Sequence, residues 1–229
     1  MIYRFSHPTP SELEQIIREQ KDLPLTYNKT TEGLKGFDHD CNRILLGEGT
    51  DTFEAAKQAI QTWAMFPGGW ASIHNERTPI EVGRVVIMTA RVLGIWWLNA
   101  SRIVYTVDEL KDYGFAYGTL PHHVETGEEL FHVYIDEKDR VWYEIKAFSR
   151  PRHILPRLFY PLARLFQKKF VRESKLNMKI TTHENLQFTE PTMVCWADAP
   201  PNQRISKLSI WLKISIIAGV AYQLGFKNK

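Results

Sequence analysis

Six extended runs lie between Trp70 and Ser149, and the connections between them are too short to hold a helix. The runs cover residues 71–75, 82–92, 101–107, 113–120, 129–136 and 141–148. They are joined through Thr78-Pro79, the neighbourhood of Gly94, and residues 108–112, 121–127 and 137–139. Parallel neighbours need a crossover of about a dozen residues, whereas antiparallel ones turn on a few. The segment is therefore expected to form an antiparallel meander.

Helical signals flank it. Arg43-Ile44-Leu45-Leu46 reads as a strand and Gly47-Glu48-Gly49 as a turn, followed by Asp51 as a helix N-cap with Glu54 three residues on. Phe53, Ala56, Ile60 and Trp63 give that helix an apolar stripe, and Pro67-Gly68-Gly69 ends it. After the meander, residues 152–172 return to helical spacing, with Leu155, Phe159, Leu162, Leu165 or Phe166, and Phe170 on one side and Arg157, Arg164 and Lys168 elsewhere. Pro161 inside this pattern bends the helix or moves its true beginning. The order of strand, helix, six antiparallel strands and long helix is an α+β arrangement: a curved antiparallel sheet of about seven strands that grips its last helix.

Four segments follow from this reading. Residues 1–40 hold a helix started by the capping box Thr9-Pro10-Ser11-Glu12 and an irregular stretch packing on the domain; 41–173 form the helix-grip domain; 174–204 read as linker-like; 205–229 form an apolar C-terminal helix. Within the fourth run, Gly114, Ala116 and Gly118 alternate with Phe115, Tyr117 and Thr119, so one face carries almost no side chain. Such a face permits sharp bending or the close approach of a ligand or helix, and bending is the simpler account.

Gly114-Phe115-Ala116-Tyr117-Gly118-Thr119-Leu120-Pro121, with Gly127-Glu128-Glu129 after it and Ala147-Phe148-Ser149-Arg150-Pro151 closing the sheet, resembles the uncharacterised DUF1990 family, also called UPF0548. Leu25-Thr26-Tyr27, Gly36-Phe37 with Asp40 and Arg43, Leu46-Gly47-Glu48-Gly49, Asn99 and Arg102-Ile103-Val104-Tyr105 extend the match from Phe5 to about Arg172. Such proteins are similar to the Bet v 1 and START-like (SRPBCC) superfamily. The resemblance implies a helix-grip fold enclosing a cavity for lipids, hormones or other apolar compounds. It implies no catalytic residue.

Other chemistries leave weaker signals. Gly47-Glu48-Gly49 precedes a helix as a dinucleotide fingerprint would, but Thr52 stands at the third glycine position and no parallel crossover follows. His122, His123, Glu125, Glu128 and Glu129 supply metal donors without the spacing of a zinc site, so no metal and no cofactor is expected. General acid/base work by His123 with Glu129 would need a cavity to hold them together. Cys41 and Cys195 are too few for a disulfide framework and fit a reducing compartment, and residues 1–14 lack the apolar run of a signal peptide. The location expected is intracellular, in the cytoplasm or on the cytoplasmic face of a membrane.

The formal net charge of +3 is too small for a bulk attraction to nucleic acid, yet basic residues concentrate in 150–179 against the single acid Glu173. No nucleic-acid motif accompanies them, so an anionic membrane surface suits this stripe better. Residues 208–226 are apolar apart from Lys213, near the length that spans a bilayer. The function expected is the binding of an apolar or amphipathic, lipid-like small molecule. Tyr105, Phe115, Tyr117, Phe131 and Tyr143 would line the cavity, Ala116 and Gly118 would border it, and Arg102, Glu129 and Arg150 would be its polar groups. The alternatives are an enzyme of cyclase or hydrolase type in the same cavity, and a membrane-attached interaction module without ligand.

Overall fold

The fold was analysed in a computed structural model that describes residues 3–28, 36–152 and 160–189. The expected 205–229 helix, and Leu155, Pro156, Arg157 and Phe159 at the expected start of the long helix, lie outside the described residues. The elements are β1 (Tyr3–Arg4), α1 (Pro10–Gln20), β2 (Asp38–Glu48), α2 (Gly49–Gln61), β3 (Ala71–Ile73), β4 (Val85–Val92), β5 (Ile95–Glu109), β6 (Asp112–Thr119), β7 (Glu125–Ile135), β8 (Arg140–Pro151) and α3 (Tyr160–Thr189). Every pairing is antiparallel, in the order β2-β8-β7-β6-β5-β4-β3, with β1 added to β5. The meander is as expected, and the strand before it closes against the last strand after it.

The α1 start is also as read: the Thr9 amide donates to the Glu12 carboxylate at 2.8 Å and the Glu12 amide to Thr9 Oγ1 at 3.4 Å. The start of α2 is corrected. Gly49, at φ +83°, turns the chain two residues before Asp51, so Glu48 holds the cap position and Asp51 lies in the first turn. There its carboxylate still favours the positive end of the helix dipole. Thr52 donates its hydroxyl back to the Glu48 carbonyl at 2.7 Å.

Alternation puts Tyr113, Phe115 and Tyr117 of β6, Phe131, Val133 and Ile135 of β7, and Val141, Tyr143 and Ile145 of β8 on one face of the sheet. That inner face packs against α2 and α3. Trp63, Phe66, Phe115, Phe131 and Phe170 join as rings, with centroids 5.0 Å apart for Trp63–Phe115 and 5.5 Å for both Phe115–Phe131 and Phe66–Phe170. Register shifts at Leu45/Gly47 in β2 and Ile103/Tyr105 in β5 interrupt the two ladders locally. A smaller cluster, Leu13, Val85, Ile87, Leu98, Ala100 and Leu120, sits on the other face with α1.

The small-residue face of β6 belongs to that other, outer face, which corrects its assignment to the cavity. A Cβ on Gly118 would collide with the Tyr27 and Leu25 side chains, and one on Gly114 with the Phe131 carbonyl of β7. Glycine at these two positions serves the close approach of chain to chain, not of a ligand.

The long helix is the second correction. Its described part runs from Tyr160, with Pro161 beside that end, and continues to Thr189 through the start of the segment read as linker. Phe170, Ser174, Met178 and Thr182, at spacings of four, are all buried, which carries the sheet-facing stripe well past Arg172. Leu165 is exposed, while Phe166 meets the Trp70 ring at 5.6 Å. Asn185 donates to the Ala55 carbonyl at 3.0 Å and so ties α3 to α2.

Met178→Asp should therefore cost about 3–5 kcal/mol by placing a charge in the apolar layer, whereas Leu176→Asp on the exposed side should cost under about 1 kcal/mol. Denaturant melts of the two variants check the helix face, and equal losses would refute it.

Candidate functional site

Strand β7 carries Glu125 and Glu129 on the same side as Phe131, so alternation aims two carboxyls at the layer between sheet and helix. Tyr117 stands directly across from Glu129 on β6 and donates its hydroxyl to Oε2 at 2.6 Å. The first turns of α3 add Arg164 and Gln167, three residues apart and on one helix face. Arg164 grips Asp40 of β2 with two bonds of 2.6 and 2.8 Å and donates to Gln167 Oε1 at 2.8 Å. Gln167 passes the contact on, its amide donating to Glu125 Oε1 at 2.5 Å. Deeper in, the hydroxyls of Tyr143 and Ser174 share a hydrogen bond of 2.8 Å.

The electrostatics are unequal along this chain. The guanidinium of Arg164 holds Asp40 below the ordinary carboxylate range. Burial pushes Glu125 up to about 7, against the pull of Ser149, Arg164 and Gln167. Burial also raises Glu129 to about 7, with Tyr117 opposing and the charges of Glu125 and Asp40 adding to the rise. Tyr117 and Tyr143 lie well above the usual phenol range for the same reason and stay neutral hydrogen-bonding groups. Glu125 and Glu129 keep part of their surface accessible while Phe131 and Tyr143 are fully buried. The layer thus holds two carboxyls that exchange protons near neutrality beside a closed aromatic wall.

Of the residues expected at the cavity, Phe115, Tyr117, Phe131, Tyr143 and Glu129 are brought together on the inner face. Arg102, Tyr105, Ala116, Gly118 and Arg150 are not. The bulge between Ile103 and Tyr105 inserts an extra residue, so Tyr105 pairs with Ala116 on the outer face instead of following Ile103 inward. Arg102 donates to the carbonyls of Gln20 at 3.2 Å and Leu23 at 2.8 Å, closing the end of α1. Arg150 lies 4.6 Å over the Phe37 ring on the outer face.

The donors weighed for a metal are also divided between faces. Glu128 accepts from the Tyr27 hydroxyl on the outer side, and His123 Nδ1 accepts the Glu125 amide at 3.0 Å. Among the described residues no group of three or more His, Cys, Asp or Glu could hold a metal ion. The basic stripe is likewise partly turned inward, since Arg164 faces Asp40 and Lys169 stacks 4.2 Å over Trp70. No helix among the described residues is long and apolar enough to cross a membrane.

The roles of Asp40, Glu125, Arg164 and Gln167 were missed. Glu125 read as part of a loop because Gly127 interrupts the run, yet it shares the parity of Glu129 and Phe131, and that parity was the available signal. Nothing local marks Asp40 as a partner of Arg164, which is 124 residues away.

A curved antiparallel sheet gripping a long C-terminal helix, with proton-exchanging carboxyls and phenols between the two, defines a helix-grip α+β protein. The chain belongs to the DUF1990 family, described as a domain of unknown function, whose model matches residues 25–176. A "UPF0548 protein" of Dictyostelium discoideum is 32% identical over 199 residues, covering 76% of this chain and 92% of that one. Another, of Deinococcus radiodurans, is 32% identical over 185 residues, covering 72% and 91%. A third, of Arabidopsis thaliana, is 36% identical over 138 residues, covering 58% and 67%. Among solved structures, a hypothetical protein of Helicobacter pylori overlaps with a TM-score of 0.42 at 13% identity, covering 71% of this chain and 94% of that one. A major latex-like protein of Panax ginseng overlaps with a TM-score of 0.35 at 17% identity, covering 63% and 96%. These overlaps are too loose to bear on function.

The raised glutamates give stability a definite pH dependence. With the folded value near 7 and the unfolded one near the ordinary 4.5, the protonated form favours the native state. Their contribution is complete below pH ~4.5 and is lost as pH rises through ~7. Glu129→Gln should match its parent at pH 4 and exceed it by about 1–3 kcal/mol at pH 8. Thermal melts at the two pH values check this, and a pH-independent difference would show that Glu129 titrates normally.

Proposed function

We propose that this protein binds an apolar or amphipathic small molecule between the inner face of the sheet and α3. The supporting observation is the placement of Glu125 and Glu129, two partly accessible carboxyls, beside the buried Tyr117 hydroxyl in a layer otherwise walled by Phe115, Phe131, Tyr143 and Phe170. Small-molecule sites combine mostly apolar walls with a few placed polar groups that orient the ligand. Because Arg164 pairs with Asp40, the groups left to meet a ligand are the Glu125 and Glu129 carboxyls, which accept when ionised and can also donate when protonated. The polar end of the ligand is accordingly a neutral hydrogen-bonding group or a cation, and an ionised carboxylate headgroup beside two acidic side chains fits poorly. Attachment to an anionic membrane through 150–179 and the 205–229 tail stays part of this proposal.

A second reading has its own support. A carboxyl that exchanges its proton near pH 7 beside a buried phenol is suited to general acid/base work, since such catalysis is most efficient when the group's pKa lies near the working pH. In an enzyme of cyclase or hydrolase type built on this layer, Glu129 would move the proton and Tyr117 would hold it in place.

Mass spectrometry of an organic extract of the purified full-length protein should reveal a copurifying amphipathic molecule, and a neutral environment-sensitive fluorescent probe should be taken up and displaced by it. Glu129→Gln should lower retention several-fold without loss of thermal stability, and Tyr117→Phe should lower retention while costing about 1–3 kcal/mol from the carboxyl left without its donor. A parent protein that carries no small molecule and takes up no probe would overturn the binding reading. Turnover of the extracted molecule that disappears in Glu129→Gln would favour the enzyme.

A further inference from the structure

The turn joining β4 to β5 is apolar where hairpin tips are ordinarily polar. Val92-Leu93-Gly94-Ile95-Trp96-Trp97 contains no charged residue. Leu93 and Gly94 form its two central positions at φ +52° and +80°. A two-residue turn with both centres left-handed favours Asn, Asp or Gly at the first of them and strains a leucine. Leu93 occupies it all the same and is 76% exposed.

The neighbouring chain adds to the same surface. β1 pairs Tyr3 with Trp97 and Arg4 with Trp96, which brings Phe5 alongside with 79% of its surface exposed. The Tyr3 and Trp97 rings lie 5.7 Å apart, and His7 meets Trp96 edge-on at 4.5 Å. The charge of the hairpin has one sign, since the chain from Val82 to Val107 holds Arg84, Arg91 and Arg102 and no acid. Arg84 pairs with Glu81 and Arg102 closes α1. Arg91 is exposed beside the tip, its guanidinium 5.8 Å over the Trp96 ring, and makes no salt bridge among the described residues.

We propose that this hairpin tip docks on an anionic lipid bilayer. Leu93 and Phe5 enter the boundary between headgroups and acyl chains, Trp96, Trp97 and Tyr3 sit at the headgroup level, and Arg91 meets the anionic headgroups. Tryptophan and tyrosine favour that depth because one end of each ring is apolar and the other is wet. A cation near an anionic membrane surface adds electrostatic attraction within a Debye length of it. A protein partner is the poorer fit, because a convex two-residue turn offers little of the ~800 Å² per side that a stable protein interface buries. This docking surface lies on the described residues and does not involve the 205–229 tail.

Sedimentation of the full-length chain with vesicles tests the proposal, using phosphatidylcholine alone and phosphatidylcholine mixed with phosphatidylserine. Leu93→Asn suits the left-handed turn, so its melting temperature should equal or exceed that of the parent while its partition onto the mixed vesicles falls about five- to tenfold. Arg91→Glu should reduce partition onto the mixed vesicles about tenfold or more and leave that onto phosphatidylcholine nearly unchanged. The proposal is overturned if the parent does not sediment with the mixed vesicles, or if both variants partition as the parent does. It is overturned equally if light scattering shows that Leu93→Asn dissociates a dimer without altering vesicle binding, since the tip would then be a contact between copies of the chain.

Discussion

The ring cluster of Trp63, Phe66, Phe115, Phe131 and Phe170 is the contact on which the rest of the molecule depends. It joins the end of α2, two central strands and α3, four pieces of chain that no local interaction would bring together. Five aromatic side chains bury a large apolar area, and their offset and tilted stacking adds directional preference to it. With the rings in place, both helices are held to one face of the sheet. β2 can then pair with β8 and close the order of strands.

Above that apolar seal, the same inter-layer space holds a polar chain from Asp40 through Arg164 and Gln167 to Glu125, with Glu129 and Tyr117 beside it. Groups in such a layer must either pair or change protonation, because removing a charge from water is costly. Asp40 pairs with Arg164 and remains charged. Among the described residues the two glutamates receive only neutral donors as direct partners, and their protonation shifts toward neutrality instead. A core built for stability alone would gain little from two acids set mostly out of water, so this imbalance is the reason to read the layer as a binding or reacting space.

The fold was largely legible because its signals are local. Short links between extended runs admit only antiparallel neighbours, and Thr9-Pro10-Ser11-Glu12 announces a helix whose cap forms as read. The site was legible in part. Phe115, Tyr117, Phe131, Tyr143 and Glu129 follow from alternation within uninterrupted strands, whereas Tyr105 was lost to a bulge that reverses parity without a mark in the residues around it. Ala116 and Gly118 were placed on the wrong side because a face without side chains reads the same whether a ligand or a neighbouring segment, here Leu25 and Tyr27, approaches it.

By itself, then, the order of residues determined the meander, the two flanking helices and the family, because hydrogen-bond geometry and side-chain period act over a few neighbours. Only the tertiary structure decided which face is inside, how far α3 runs, and that Arg164 answers Asp40 instead of the two glutamates. Those outcomes depend on contacts between residues more than a hundred positions apart, where desolvation and charge are set by the whole surrounding layer rather than by any adjoining stretch of chain.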